Sequence, residues 1–195
     1  MNEVQNKLKE SISSELSSSL KEIESGAWEY GLTYELDRDN ALEVFEKLKS
    51  SDSLKFNMLV ELTAVDYMDS KEDRFTVVYH LMSTTNLYRI TIKINVAEDD
   101  AWVESVLPLW KSANFLEREV WDLFGIDFKN HGDLRRIMMY EEFEGHPLRK
   151  DYPILKKQPR IPLRLPELHN TAQDMKRNSL VAMPTKKSSS KSEAK

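Results

Sequence analysis

The sequence has no cysteine in 195 residues. That excludes disulfides, a thiolate nucleophile, cysteine-ligated zinc and any iron–sulfur cluster held by this chain alone. Histidine is scarce: His80, His131, His146 and His169 are scattered, which leaves a carboxylate or histidine site as the only metal option. The five glycines form no Gly-rich loop ahead of a helix, which leaves no nucleotide cradle. No serine sits in a nucleophile elbow. No run approaches the roughly 18 to 20 apolar residues of a membrane helix, and no apolar core follows the first charges as in a secretory signal. A cytoplasmic location without a membrane span is therefore expected.

What is present is charge, unevenly placed. The chain carries 28 Lys and Arg against 33 Asp and Glu, net -5. Residues 1–116 hold 12 basic and 21 acidic side chains, whereas 117–195 hold 16 basic and 12 acidic. Two readings fit: a solvated acidic domain with a basic tail, or a dedicated basic docking surface. Net acidity, and a basic tail without interleaved aromatics, argue against a nucleic-acid partner.

Hydrophobic periodicity outlines the elements. Val4, Leu8, Ile12, Leu16, Leu20 and Ile23 recur at helical spacing, which predicts one helix over 4–23, although six serines weaken its propensity. Alternation predicts strands over Trp28–Leu36, over Phe56–Val65 with Phe56, Met58, Val60, Leu62 and Ala64 inward, and over Arg74–Met82 and Tyr88–Val96. The last two form a β-hairpin about Thr84–Asn86. A short helix follows Asp37–Asn40 with Leu42, Phe45 and Leu48 buried. Glu98, Asp99 and Asp100 suit a helix start, predicting a helix that carries Trp102, Val106 and Leu107 inward up to Pro108. A further helix covers Asn114–Phe124, with Gly125 as its stop.

These elements predict an α+β domain over 1–126, an antiparallel or mixed sheet with helices packed on one face. Beyond Phe128 the periodicity stops. Pro147, Pro153, Pro159, Pro162 and Pro166 forbid long helices and central strands. Residues 127–180 are expected to form an extended arm rich in Pro and Arg, and 181–195, with Lys186, Lys187 and Ser188–Ser190, a disordered basic tail.

The densest constellation runs from Leu116 to Pro153. Arg118 and Asp122 stand four apart on one helix and can pair. Glu117, Glu119, Asp122 and His131 invite a metal or acid–base reading, but Glu117 and Glu119 face different sides of the helix and no second histidine stands at ligand spacing. Arg135, Arg136, His146, Arg149 and Lys150 could clamp an oxyanion, or equally serve as ion-pair partners for another protein. An irregular segment rich in Arg, Tyr and Phe favours the interface reading.

Glu117, Arg118, Glu119, Asp122, Gly125, His131, Asp133, Arg135 and Arg136, followed by Gly145, His146, Pro147, Arg149, Lys150, Asp151, Tyr152 and Pro153, form two ordered blocks. They resemble the signature of the 30 kDa subunit family of the respiratory NADH–quinone oxidoreductase, complex I. Gly132 departs from the family by standing where a proline usually follows the histidine, and Met138–Glu142 are idiosyncratic. The resemblance implies a structural subunit of the peripheral arm with no catalytic centre, cofactor or metal of its own. NADH, FMN, iron–sulfur clusters and quinone would be bound by partner subunits. The C-terminal arm would wrap over the subunit that helps form the quinone site, with iron–sulfur subunits as neighbours, at the cytoplasmic face of the bacterial inner membrane. An equivalent subunit of a membrane-bound hydrogenase-type complex is the nearest alternative, and a free-standing carboxylate and histidine metal enzyme a more distant one.

Overall fold

The strongest alternation in the chain, Phe75 to Val96, builds the centre of the fold. In the computed structural model, which describes residues 3–16, 19–23, 31–68, 70 and 72–159, strand order places this hairpin inside a five-stranded mixed sheet. The elements are helix α1 (Glu3–Leu16), strands β1 (Leu20–Ile23) and β2 (Leu32–Leu36), a 3-10 turn (Arg38–Asn40), helix α2 (Ala41–Ser50), and strands β3 (Met58–Asp66), β4 (Phe75–Ser83), β5 (Tyr88–Val96) and β6 (Trp102–Glu104). Helix α3 (Ala113–Phe124) and strand β7 (Asp127–Lys129) complete them. The sheet order is β1-β2-β5-β4-β3, antiparallel except for the parallel pair β2–β5. β6 and β7 form a separate parallel pair.

One face is the core. Tyr34, Ile92, Tyr79 and Leu62 stand opposite one another across β2, β5, β4 and β3 and are all buried. Helix α2 covers this row through Phe45, whose ring lies 4.8 Å from Tyr79 and 5.9 Å from Trp110. The other face is polar: His80 pairs with Thr91 at 3.0 Å and Thr76 with Asn95 at 2.8 Å. This is the expected α+β class.

Four local expectations change. The helix expected over 4–23 ends at Leu16, and Leu20–Ile23 pair instead with Leu36–Thr33 as a strand, because the serines give the helix little support while the β2 edge offers a full ladder. In β3 the pairing shifts between Leu59 and Glu61, and this bulge turns the strand over. Leu59 therefore points inward with Leu62 and Ala64, while Met58 and Val60 are 46% and 49% exposed. The helix expected from Glu98 is absent, and Trp102–Glu104 form β6 on Asp127–Lys129. Asp100 is held by Arg38, whose guanidinium donates to its carbonyl and its carboxylate at 2.8 Å each, and Trp102 is stacked by Arg38 and Lys129. Long-range partners here outweigh a local dipole preference.

The fourth concerns the boundary at 126: the compact unit runs on to Gln158. Trp28 and Tyr30 of the first expected strand, the Val4 side chain and everything expected of 160–195 lie outside the described residues.

Candidate functional site

An α-helix leaves its last four carbonyls without intrahelical partners, and the C-terminal end of α3 shows where these go. Gly125 closes the helix in the left-handed conformation, φ 74°, and its N–H donates to the Trp121 carbonyl at 2.8 Å. The second signature block takes the rest. The Asp122 carbonyl accepts from His146 Nδ1 at 3.0 Å, Leu123 from the Leu148 N–H at 3.1 Å, and Phe124 from Arg149 Nε at 2.5 Å. A cation at this negative end of the dipole is in its favoured place. His146 is kept neutral: burial pushes its pKa down, and the neighbouring Arg149 and Arg136 charges add to that against its hydrogen bond to the Asp122 carbonyl.

The Asp122 side chain, fully buried, organises the first block. Its Oδ1 accepts from Arg136 Nη1 at 2.5 Å, and its Oδ2 accepts the N–H groups of Ile137, Met138 and Met139 at 3.1, 2.9 and 2.8 Å. Burial alone would raise its pKa, but these donors outweigh burial and hold it low. Arg136 also donates to the carbonyls of Phe143 and Gly145 at 2.8 and 3.3 Å. One carboxylate and one guanidinium thus shape the loop from 136 to 145. Arg118 adds to this from α3, donating to the carbonyls of Arg135 and Arg136 at 3.1 and 3.2 Å.

A second buried carboxylate anchors the far end of the strap. Asp66, at the end of β3, forms a two-pronged pair with Arg74 at 3.1 and 2.9 Å and accepts the N–H groups of Met68 and Lys150 at 2.9 and 2.8 Å. Arg74 reaches Asp151 at 2.6 Å and also pairs with Glu98. Burial pushes the Asp66 pKa up, yet its bonds from Arg74, Lys150 and Met68 bring it to about 2. A group with a depressed folded pKa stabilises the fold above its ordinary pKa and loses that contribution as pH falls. Stability measured by urea unfolding is therefore expected to drop by about 2 kcal/mol from this group between pH 4 and pH 2. Arg74→Gln should shrink that loss, because without the guanidinium the folded pKa rises toward its ordinary value while the unfolded one is unchanged.

Beyond these, Phe143 stacks on Tyr152 with ring centroids 5.9 Å apart, and Tyr152 pairs with Gln158. Arg135 pairs with Asp133 at 3.2 Å on the surface, the Lys150 side chain is exposed, and Glu119 is half-buried beside a groove that also touches Leu116 and Leu148. Pro147 is half-buried and Pro153 exposed. Gly132 has φ 86°, a conformation closed to the proline that the resemblance would put there.

The expected Arg118–Asp122 pair is not made. Arg118 serves loop carbonyls and Asp122 takes Arg136, because a buried carboxylate is better satisfied by a guanidinium together with three N–H groups than by a helix neighbour. Of the basic cluster read as an anion clamp or interface, Arg136 and Arg149 are engaged within the chain. Reversing their charge would test folding, not docking. Glu117 and His131 approach within 3.8 Å, but Asp122 is taken by Arg136 and Glu119 lies beside the groove, and among the described residues no group of three His, Asp or Glu side chains could hold a metal ion. Sequence reasoning missed Asp66, Arg74 and Glu98. The available signal was their position at the ends of strongly apolar strands, where a charged side chain needs a partner from elsewhere.

A profile of the family described as the respiratory-chain NADH dehydrogenase 30 kDa subunit matches residues 34–158. The chain is 49% identical over 123 residues to an NADH-quinone oxidoreductase subunit of Citrifermentans bemidjiense, covering 63% of this chain and 74% of that one. It is 42% identical over 149 residues to the same subunit of Trichlorobacter lovleyi, covering 76% and 90%. Among solved structures, a trypsin-resistant fragment of Nqo5 superposes with a TM-score of 0.58 at 33% identity, covering 66% of this chain and 99% of the fragment.

Proposed function

Because the chain belongs to the family of the respiratory-chain NADH dehydrogenase 30 kDa subunit, we propose that it is a non-redox structural subunit of the peripheral arm of a proton-translocating NADH–quinone oxidoreductase. In this reading NADH, FMN, iron–sulfur clusters and quinone are bound by partner subunits, and the chain supports electron transfer by holding those partners in place. Its position is peripheral, at the cytoplasmic face of the bacterial inner membrane. Among the described residues no helix is long and apolar enough to cross a membrane.

One observation carries the reading. The signature segment turns Arg118, Arg136 and Arg149 inward onto backbone carbonyls, yet holds aliphatic side chains out to solvent. Ile154 and Leu155 are 99% and 92% exposed directly after the strap that Asp66 and Arg74 anchor, and Met138 and Leu148 are more than half exposed. Apolar side chains displayed on a pinned loop suit burial against another protein more than they suit solvent. The quinone-site subunit and the iron–sulfur subunits are the proposed partners.

Affinity purification of the tagged full chain from its own cells, with identification of co-eluting subunits, tests this. Co-elution with an NADH-oxidising subunit and iron–sulfur subunits is the expected result. A homo-oligomer alone would overturn the proposal, and iron–sulfur and hydrogenase-type subunits without an NADH-oxidising partner would favour the alternative complex. Ile154→Asp together with Leu155→Asp is expected to lower the yield of co-eluting partners while leaving the urea midpoint of the isolated chain unchanged.

A further inference from the structure

Three carboxylates are fully or almost fully buried among the described residues: Asp66, Asp122 and Glu117. Two are matched by a guanidinium, Asp66 by Arg74 and Asp122 by Arg136. Among the described residues Glu117 has no Lys or Arg paired with it. Its Oε1 accepts the Val106 N–H at 2.7 Å, and its Oε2 lies 2.6 Å from the Ser105 hydroxyl, a separation that serves whichever oxygen carries the proton.

The surrounding groups do not supply a charge. From the segment after β7, the ring of His131 stands with Nε2 3.8 Å from Oε2. That imidazole accepts the Asp133 N–H on Nδ1 at 3.3 Å and faces the Asn114 carbonyl with Nε2 at 3.2 Å, which is the bonding pattern of the neutral ring. From β4, the buried Tyr79 hydroxyl has no hydrogen-bond partner among the described residues and brings no charge. From β3, against which α3 packs, Glu61 is exposed and Asp66 is taken by Arg74. On the helix itself, Arg118 is turned to the loop carbonyls and Glu119 lies on another face. On β7, Asp127 and Lys129 are exposed. An ionised carboxylate left this way in a protein core is costly, and taking up a proton relieves that cost.

We propose that Glu117 carries a proton in the closed domain and releases it when the segment 105–110 opens, so that this segment is a pH-sensitive latch on helix α3, held more tightly as pH falls below neutrality. Burial pushes the Glu117 pKa up to about 7, with the Ser105 and Val106 donors working against that rise. A group whose folded pKa is raised binds more protons closed than open, so opening becomes easier as pH rises from the ordinary carboxylate range to the folded pKa, and levels off above it. His146 acts in the opposite sense, since its folded pKa is lowered, and it sits at the other end of α3.

Hydrogen exchange of the Val106 and Leu107 amides in the full chain, corrected for intrinsic exchange, reads the latch directly, because these amides donate to Glu117 and to Ser105. The opening constant is expected to rise close to tenfold per pH unit between pH 5 and pH 7 and then flatten. Glu117→Gln should abolish that dependence, and His131→Gln should keep it. Infrared spectroscopy of the unmodified chain supplies a second measurement should the Gln variant not fold: a protonated-carboxyl C=O band absent from the spectrum at about pH 6, where exposed carboxylates are ionised, would overturn the proposal. So would a wild-type opening constant independent of pH in that range, or a Glu117→Gln protein that retains the slope.

Discussion

Asp122→Ala is expected to destabilise the domain by about 3–5 kcal/mol, read as a fall in the urea midpoint of the full chain. The magnitude follows from what is left behind. Arg136 stays half-buried with its charge uncompensated, and the N–H groups of Ile137, Met138 and Met139 lose the one oxygen that gathers them. Removing one partner of a buried pair costs more than the pair is worth, because the remaining charge is stranded. Asp122→Asn keeps the shape and one acceptor oxygen, so about 1–3 kcal/mol is expected. Arg136→Met paired with Asp122→Leu should restore part of the loss, since an apolar pair strands no charge. The loop would still lose its N–H acceptor, so rescue is expected to be incomplete. A wild-type midpoint in Asp122→Ala would mean that the loop does not depend on this carboxylate.

The same residue shows how far sequence alone reaches. Asp122 stands out in the sequence as part of a charged cluster, and helical spacing assigns it to Arg118. The true partner, Arg136, is fourteen residues away across a turn, a loop and a strand. Local rules identify which residues need partners, but pairing depends on where the chain returns. The same holds for the sheet. Alternation over Phe75–Val96 sets that hairpin because both strands bury one face at period two, and Gly125 marks the end of α3 because a left-handed residue must close it. Over Met58–Asp66 the alternation is misleading: a single bulged residue reverses the faces, and nothing in the local pattern shows it. At Trp102–Glu104 the acidic triplet points to a helix, yet the partner strand lies more than twenty residues on. Asp66 and Arg74 escape notice for the same reason, since Lys150 and Asp151 arrive from the far end of the signature.

The strap's attachment to the helix end depends on Gly125 for two separable reasons, and a second glycine separates them. Gly125 and Gly132 both sit at positive φ, 74° and 86°. A side chain at either pays the left-handed penalty of about 1–2 kcal/mol. Only at Gly125 is the space also filled: a Cβ there would lie 2.6 Å from the His146 ring and 2.7 Å from Arg149 Nη2, whereas at Gly132 nothing stands within 4 Å. Gly125→Ala must therefore also displace His146 and Arg149 from the carbonyls of Asp122 and Phe124. With the charge-assisted Arg149 bond at about 1.5–3 kcal/mol, the total reaches about 3–5 kcal/mol. Gly132→Ala should cost about 1–2 kcal/mol, so the urea midpoints of the two variants should differ clearly. If they fall together, backbone conformation alone accounts for Gly125, and the strap does not rest on the helix end as the contacts indicate. If Gly125→Ala falls further, amide exchange should show Leu148 losing protection, because its N–H reaches the Leu123 carbonyl only while His146 and Arg149 hold the strap against α3.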